Sequence, residues 1–163
     1  MGEANMVPST SSLNELMFEL DSLYVSTQII LGAKFRQPPF DGLLLEACLL
    51  HFRNVWDFFY AKGKDTDVFV RDFIPMWRKK RQPPRLKAIR RWLDVMLAHL
   101  TTFRIDPSYK IGEVTNADIR LIRAHTKTLF DAFVAALPKD KRKELVNPLA
   151  SKFAHYETLK ATS

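Results

Sequence analysis

The chain has 163 residues and one cysteine, Cys48, so it is long enough for a single domain and cannot form an internal disulfide. Hydrophobic residues make up 47% of it and charged residues 26%, the composition of an ordinary globular protein. The single thiol excludes a cysteine-based zinc site, and no apolar run is long enough to predict a membrane span. We therefore expect a cytoplasmic protein with no membrane association, metal or cofactor.

The net charge of +7 comes from one part of the chain. Between positions 78 and 91 there are eight basic residues and no acidic ones, whereas basic and acidic residues nearly balance elsewhere. Such a cluster indicates an anionic partner such as RNA, and Trp77 and Trp92, which flank it, could stack on bases. The alternative is a solvated loop without a specific ligand. This basic segment comprises Arg78, Lys79, Lys80, Arg81, Arg85, Lys87, Arg90 and Arg91.

The N-terminal part predicts a flexible tail followed by a long helix. Residues 1–11 are polar and lack the apolar core of a signal peptide. Apolar residues then recur at helical spacing from Ser12 to Leu31, and Gly32 follows as a natural stop. Ser12 and Glu15 have the spacing of a capping box at the start of this helix.

A second helix is predicted from Asp41 to about Lys62. It is apolar on nearly all sides, since Glu46, Arg53 and Asp57 are its only charged residues after Asp41 and before Tyr60. A helix of this kind belongs in the middle of a fold or in a subunit interface. The second possibility predicts a homodimer.

The next predicted elements are a short helical segment within 65–77, ended by Pro75, and a third long helix. Pro84 suits the first turn of that helix, which is expected to reach about Arg104. Leu86, Ile89 and Leu93 begin its buried stripe.

A fourth helix is predicted from a cap at Thr115 or Asn116 to Leu137, followed by a basic, weakly helical extension over 139–163. No alternating apolar pattern calls for a sheet. The pattern predicts an all-α fold, an antiparallel up-and-down bundle of about four long helices with a short extra helical segment, over residues 12–138.

Polar residues on the second and third helices form a candidate site. Helical spacing places Glu46, Arg53 and Asp57 on one side of the second helix and His51 on another. If the two helices are antiparallel, Arg53 lies near Asp94. This alignment predicts one neighbourhood that contains Glu46, His51, Arg53, Asp94 and His99. The candidate catalytic residues are His51, Arg53 and His99, and the accompanying polar network is Glu46, Asn54, Asp57, Asp94 and Arg104. The alternative is a structural set of ion pairs.

The second predicted helix contains the run Glu46-Ala-Cys-Leu-Leu-His-Phe-Arg-Asn-Val-Trp-Asp-Phe-Phe59. This run resembles the helical core of small bacterial proteins with a His-Phe-Arg-Asn…Asp-Phe-Phe helix. These proteins also carry a later Ala-His-Leu…Arg element, matched here by Ala98-His99-Leu100 and Arg104. Both elements are similar to the HEPN superfamily of four-helix domains, which includes RNA-cleaving toxins and phage-defence proteins. The resemblance implies a helical bundle and a dimer.

Catalytic HEPN proteins place a His a turn or two after an Arg that is followed by a polar residue. Here Arg53-Asn54 is followed by Phe58, Phe59 and Tyr60 where the His is needed. Arg120 and His125 have the right spacing, but an apolar residue follows the Arg. The resemblance thus favours a non-catalytic HEPN-like module that binds nucleic acid or a protein partner through the basic segment.

Two alternatives stay open at this point. The first is a metal-independent endoribonuclease of HEPN type, built from the candidate catalytic residues or from Arg120 and His125. The second is a helical interaction or structural protein without a nucleic-acid role, in which the apolar second helix forms an oligomer interface.

Overall fold

The computed structural model describes residues 10–32, 40–61, 68–98, 114–143 and 145. Within these ranges the regular structure is entirely helical and no strand occurs, which confirms the all-α prediction. Four helices have 15 residues or more, and one short helix of four residues lies between the second and third of them. The principal helices are α1 (Thr10–Gly32), α2 (Phe40–Tyr60), α3 (Val70–Phe73), α4 (Pro84–Ala98) and α5 (Asn116–Ala136), and residues 139–143 after α5 are helical as well.

The helix starts follow local sequence signals with one exception. Pro84 begins α4 as predicted, and α3 lies inside the predicted short segment. The predicted capping box at Ser12 is wrong, because α1 already begins at Thr10 and Ser12 lies within its first turn. The predicted end of the third long helix at Arg104 lies outside the described residues.

The start of α5 is capped as the sequence indicates. The Thr115 hydroxyl accepts a hydrogen bond from the Asp118 amide at 3.2 Å, and the Asp118 carboxylate accepts one from the Thr115 amide at 2.9 Å. These two bonds satisfy backbone donors that the first turn of a helix leaves without intrahelical partners.

Helices α1 and α2 pack as an antiparallel pair. His51 of α2 lies against Glu19 of α1, and Cys48, earlier in α2, lies close to Ser26, later in α1. Leu16, Leu20 and Leu23 line the buried side of α1. Burial of such leucines contributes about 1.5–3 kcal/mol each relative to exposure, which makes this pairing a major part of the core.

Helix α2 lies in the middle of the described structure, as its apolar composition predicts. It contacts α1, α4 and α5. Phe52, Val55 and Phe59 are 1% exposed each, so the helix is enclosed on more than one side. Its central position brings its charged residues close to the neighbouring helices.

Trp77 belongs to an aromatic core cluster and is not available to a ligand. Its ring centroid lies 5.8 Å from that of Phe59 and 6.5 Å from that of Phe133, and the residue is only 8% exposed. The expectation that Trp77 stacks on bases is therefore wrong. The apolar contacts with α2 and α5 stabilise the indole in the interior.

Helices α4 and α5 begin at the same end of the structure. Arg85, the second residue of α4, forms an ion pair with Asp118, the third residue of α5. In a strict up-and-down bundle, the start of α5 would instead lie near the end of α4.

Candidate nucleic-acid interface

Three residues of the basic segment are occupied by contacts within the protein. The Lys79 ammonium group donates to the carbonyl oxygen of Tyr60 at 2.7 Å, which satisfies an acceptor at the end of α2. Arg85 binds Asp118, and Arg90 binds Asp57. The segment is therefore not a uniform ligand surface, because these cations hold helix ends and helix pairs together.

The Arg85–Asp118 pair has two parallel hydrogen bonds, Nε to Oδ1 at 2.8 Å and Nη2 to Oδ2 at 2.7 Å. The Asp118 carboxylate also accepts from the amide and the hydroxyl of Thr115. The guanidinium group, together with the Thr115 donors, holds the pKa of Asp118 well below its usual range. This side chain thus remains ionised and ties the starts of α4 and α5 together.

The other five basic residues of the segment are exposed, and no contact with a carboxylate is found for them in the described part of the chain. Lys87 and Arg91 are one turn apart on the solvent side of α4, where Pro84 and Ala88 are also exposed. The remaining three lie in the segment without regular secondary structure that leads into this helix. We call this set the exposed basic surface: Arg78, Lys80, Arg81, Lys87 and Arg91.

Arg90 is the centre of a network between α2 and α4. Its guanidinium group donates to both oxygens of Asp57, with Nη2 2.8 Å from Oδ1 and 2.7 Å from Oδ2, and it also contacts Asp94 one turn further along α4. The side chain of Arg90 is 12% exposed, so its charge requires these carboxylates.

Arg53 lies at the edge of the same network. Its Nε atom is 3.8 Å from Asp57 and 3.7 Å from Asp94, which confirms the prediction that Arg53 and Asp94 are close across an antiparallel helix pair. These distances are too long for hydrogen bonds but short enough for electrostatic attraction. With two arginines and two aspartates, the network has no excess charge. This balance favours the alternative that these residues are a structural set of ion pairs.

His51 does not join this network. Its Nδ1 atom lies 2.7 Å from the Glu19 carboxylate, and its ring meets the Phe18 ring edge-on at a centroid distance of 6.0 Å. His51 thus faces α1, whereas Arg53 faces α4, because residues two apart leave a helix on nearly opposite sides. The expectation that both residues share one neighbourhood is wrong.

The remaining members of the predicted site are only partly described. Glu46 is exposed and Asn54 is half-buried, both on α2. His99 and Arg104, which were expected to complete the catalytic group and the polar network, lie outside the described residues.

The structure also assembles an aromatic site around His125. The His125 and Tyr60 rings are stacked, with centroids 6.1 Å apart and planes inclined by 3°, and Nε2 lies 2.9 Å from the Tyr60 hydroxyl. Burial lowers the pKa of His125 and raises the pKa of Tyr60 to about 12. Arg120 is exposed on α5, so the two residues with HEPN-like spacing point to different surroundings.

A second feature absent from the sequence prediction is an apolar groove of about 610 Å³ between α1 and α5. Arg123 lies over the Tyr24 ring, with its guanidinium carbon 4.4 Å from the ring centroid, and donates to the Tyr24 hydroxyl at 2.7 Å. Neither this groove nor the His125 site could be located before the packing of α5 was known. The principal lining residues are Leu20, Leu23, Tyr24, Thr27, Phe130 and Val134.

No protein-family model, curated protein or solved structure matches this chain. Among the helices that the structure describes, none is long and apolar enough to cross a membrane. In the same residues, no three His, Cys, Asp or Glu side chains come together in a way that could hold a metal ion.

Proposed function

We propose that this protein is a non-catalytic, HEPN-like helical module that binds RNA or another nucleic acid in the cytoplasm through the exposed basic surface. The observation that carries the proposal is the separation of the basic segment into two roles. Structural contacts occupy Lys79, Arg85 and Arg90, whereas the other five cations are exposed and contact no carboxylate within the described part of the chain. Phosphate groups would relieve the repulsion among those five cations.

The arrangement of these cations suits a nucleic-acid backbone. Arg78, Lys80 and Arg81 lie in an irregular segment, and Lys87 and Arg91 continue from it on a rigid helix. Contacts of this kind position a protein on phosphates and give little sequence information. With Trp77 in the core, we propose binding with weak sequence preference.

The test replaces Arg78, Lys80 and Arg81 with Glu and measures binding of short fluorescent RNA and DNA. Lys79 is left intact, because its substitution would also remove the contact with Tyr60 at the end of α2. A loss of binding would then be indistinguishable from damage to that helix. We expect affinity to fall by at least about tenfold. With fewer phosphate contacts, binding releases fewer counterions and is therefore less favourable. Unchanged affinity would contradict the proposal.

A matched control makes the same change of charge elsewhere. Arg71, Lys139 and Lys143 are exposed cations outside the basic segment, and their replacement with Glu alters the net charge equally. We expect the control variant to keep most of its affinity. Equal losses in both variants would indicate a general charge effect rather than a binding surface.

The geometry does not favour the ribonuclease alternative. His51 is directed to Glu19, Arg53 to Asp94, and His125 to Tyr60, so these described candidates do not converge on one point within a chain. General acid–base cleavage needs two such groups within reach of one phosphodiester. We therefore propose binding without turnover.

We also propose that the module is a homodimer that associates through the outer face of α1 and α2. Phe18 and Leu43 are 63% and 61% exposed, and Ile29 and Leu50 are exposed as well. Phe18 and Ile29 are three turns apart on α1, and Leu43 and Leu50 are two turns apart on α2, so each pair lies on one side of its helix. The antiparallel pairing of these helices brings Ile29 level with Leu43. A second copy would offer the same apolar face.

A further inference from the structure

The segment between α3 and α4 is attached to the protein near its start. The Trp77 amide donates to the carbonyl oxygen of Ile74 at 2.8 Å, and the Trp77 indole is buried in the aromatic core. Two residues later, the Lys79 ammonium group donates to the carbonyl oxygen of Tyr60 at 2.7 Å. Residues 77–83 lack regular secondary structure, but these contacts fix their beginning to the end of α2.

The other end of this segment is fixed where α4 begins. The Pro83 carbonyl oxygen accepts a hydrogen bond from the Lys87 amide at 3.0 Å, and Arg85 is bound to Asp118 through two hydrogen bonds. Pro83 and Pro84 also restrict the backbone of the residue that precedes each of them. The segment therefore enters the helix in a defined direction.

Within this segment, anchored and exposed side chains alternate. Trp77 and Lys79 are directed to the protein, since one is buried and the other binds the Tyr60 carbonyl oxygen. Arg78 and Lys80 are exposed members of the exposed basic surface. Because Lys79 lies between them, its contact with the end of α2 fixes the backbone from which both cations extend.

Anchoring changes the free energy with which these cations can bind an anion. In an unattached loop, like charges repel one another and spread the chain, and ordering the backbone on binding opposes association. Here the contacts of the folded protein already order the segment. Cations held in place before binding lose less conformational entropy when they contact phosphates, so their affinity is higher.

We propose that Lys79 is a positioning residue for nucleic-acid binding. Its contact with Tyr60 holds Arg78 and Lys80 in the arrangement that binds phosphates, and its own ammonium group contacts no phosphate. This role rests on the proposed function, since it applies only if the exposed basic surface binds nucleic acid. Three consecutive basic residues, alike in the sequence, thus have two different roles.

The salt dependence of RNA binding separates Lys79 from its neighbour Lys80. Lys79→Met and Lys80→Met each remove one positive charge and keep an unbranched side chain. Lys80→Met loses a phosphate contact, so we expect lower affinity and a logarithmic salt slope that is less steep by about 0.7 for single-stranded RNA. Lys79→Met should lower affinity by at least about threefold with an unchanged slope, because the same contacts form after the segment has been ordered.

Two results would overturn the positioning role. The first is an affinity of Lys79→Met equal to that of the unmodified chain. The second is a slope reduced as much as in Lys80→Met, which would make Lys79 a phosphate contact itself. If the unmodified chain did not bind RNA at all, the proposed function would be contradicted, and the positioning role with it.

Trypsin cleavage in the absence of RNA tests the anchoring directly. Arg78, Lys80 and Arg81 remain as cleavage sites in Lys79→Met, and a released segment fits a protease more readily than an anchored one. We expect cleavage after Arg78 to be at least about fivefold faster in this variant, and unchanged in Lys80→Met. An equal rate in Lys79→Met and the unmodified chain would overturn the proposal.

The conservative variant Lys79→Arg distinguishes positioning from a general loss of stability. Its guanidinium group can still donate to the Tyr60 carbonyl oxygen, so we expect affinity and resistance to trypsin close to those of the unmodified chain. Circular dichroism confirms that each variant is folded at the temperature of the binding measurement. Affinity as low in Lys79→Arg as in Lys79→Met would count against the assigned role.

Discussion

At the scale of single residues, the two adjacent arginines Arg90 and Arg91 differ in burial and in their contacts. Arg90 is enclosed between α2 and α4 and contacts two carboxylates, whereas Arg91 is exposed. The amino-acid type is the same, and only the helical phase differs. A sequence-based search for anion-binding residues therefore includes both, and only the packed structure separates them.

The Arg90→Met substitution tests the structural role. It leaves the Asp57 and Asp94 carboxylates without their principal cation, so we expect the free energy of unfolding to fall by about 2–4 kcal/mol. Urea denaturation followed by circular dichroism measures this change. Arg91→Met is the control and should change stability by less than about 0.5 kcal/mol. Equal effects of the two substitutions would contradict the assigned roles.

His125 gives a prediction about pH. Burial lowers its pKa in the folded state, so the unfolded state takes up a proton at a higher pH than the folded state does. The stability linked to this group is therefore fully present above the ordinary histidine pKa and declines as pH falls through the lowered value. Denaturation at a series of pH values between about 7 and 5 should show this decline.

The His125→Phe variant separates this residue from other titrating groups. The substitution keeps a ring against Tyr60 and Trp56 but removes the titration. We expect stability to fall less steeply below neutral pH in this variant than in the unmodified chain. Identical slopes would show that His125 is not the responsible group.

At the scale of helices, apolar spacing was sufficient to locate α1, α2, α4 and α5. Pro84 and Thr115 marked two helix starts directly, since each residue has a local reason to begin a helix. Ser12 failed as a start signal, because Thr10 and Ser11 extend the helix towards the N-terminus. The exact end of a helix depends on tertiary contacts, such as that of Lys79 with Tyr60, which local sequence does not encode.

The proposed dimer is tested at this scale by charge on the outer face of α1 and α2. Leu43→Glu with Leu50→Glu places two carboxylates in an apolar interface, so we expect a dimer to dissociate into monomers. Light scattering coupled to size exclusion measures the mass. Met76→Glu with Leu121→Glu changes two exposed apolar residues elsewhere and should not alter it. A monomeric unmodified chain would contradict the proposal.

At the scale of the whole molecule, the sequence predicted the helical class and the pairing of Arg53 with Asp94, but it did not predict which side chains share a site. His51 and Arg53 are close in sequence and face different helices. His125 and Tyr60 are distant in sequence and stack on each other. Such relations depend on which helices are neighbours, and apolar periodicity alone does not determine that arrangement.

We propose that the exposed basic surface binds nucleic-acid phosphates. The most direct test is the affinity of the unmodified chain for a short single-stranded RNA as a function of salt concentration. If all five exposed cations contact phosphates, the logarithm of the association constant should fall against the logarithm of salt with a slope of roughly −3.5. No binding at low salt, or binding that is insensitive to salt, would contradict the claim.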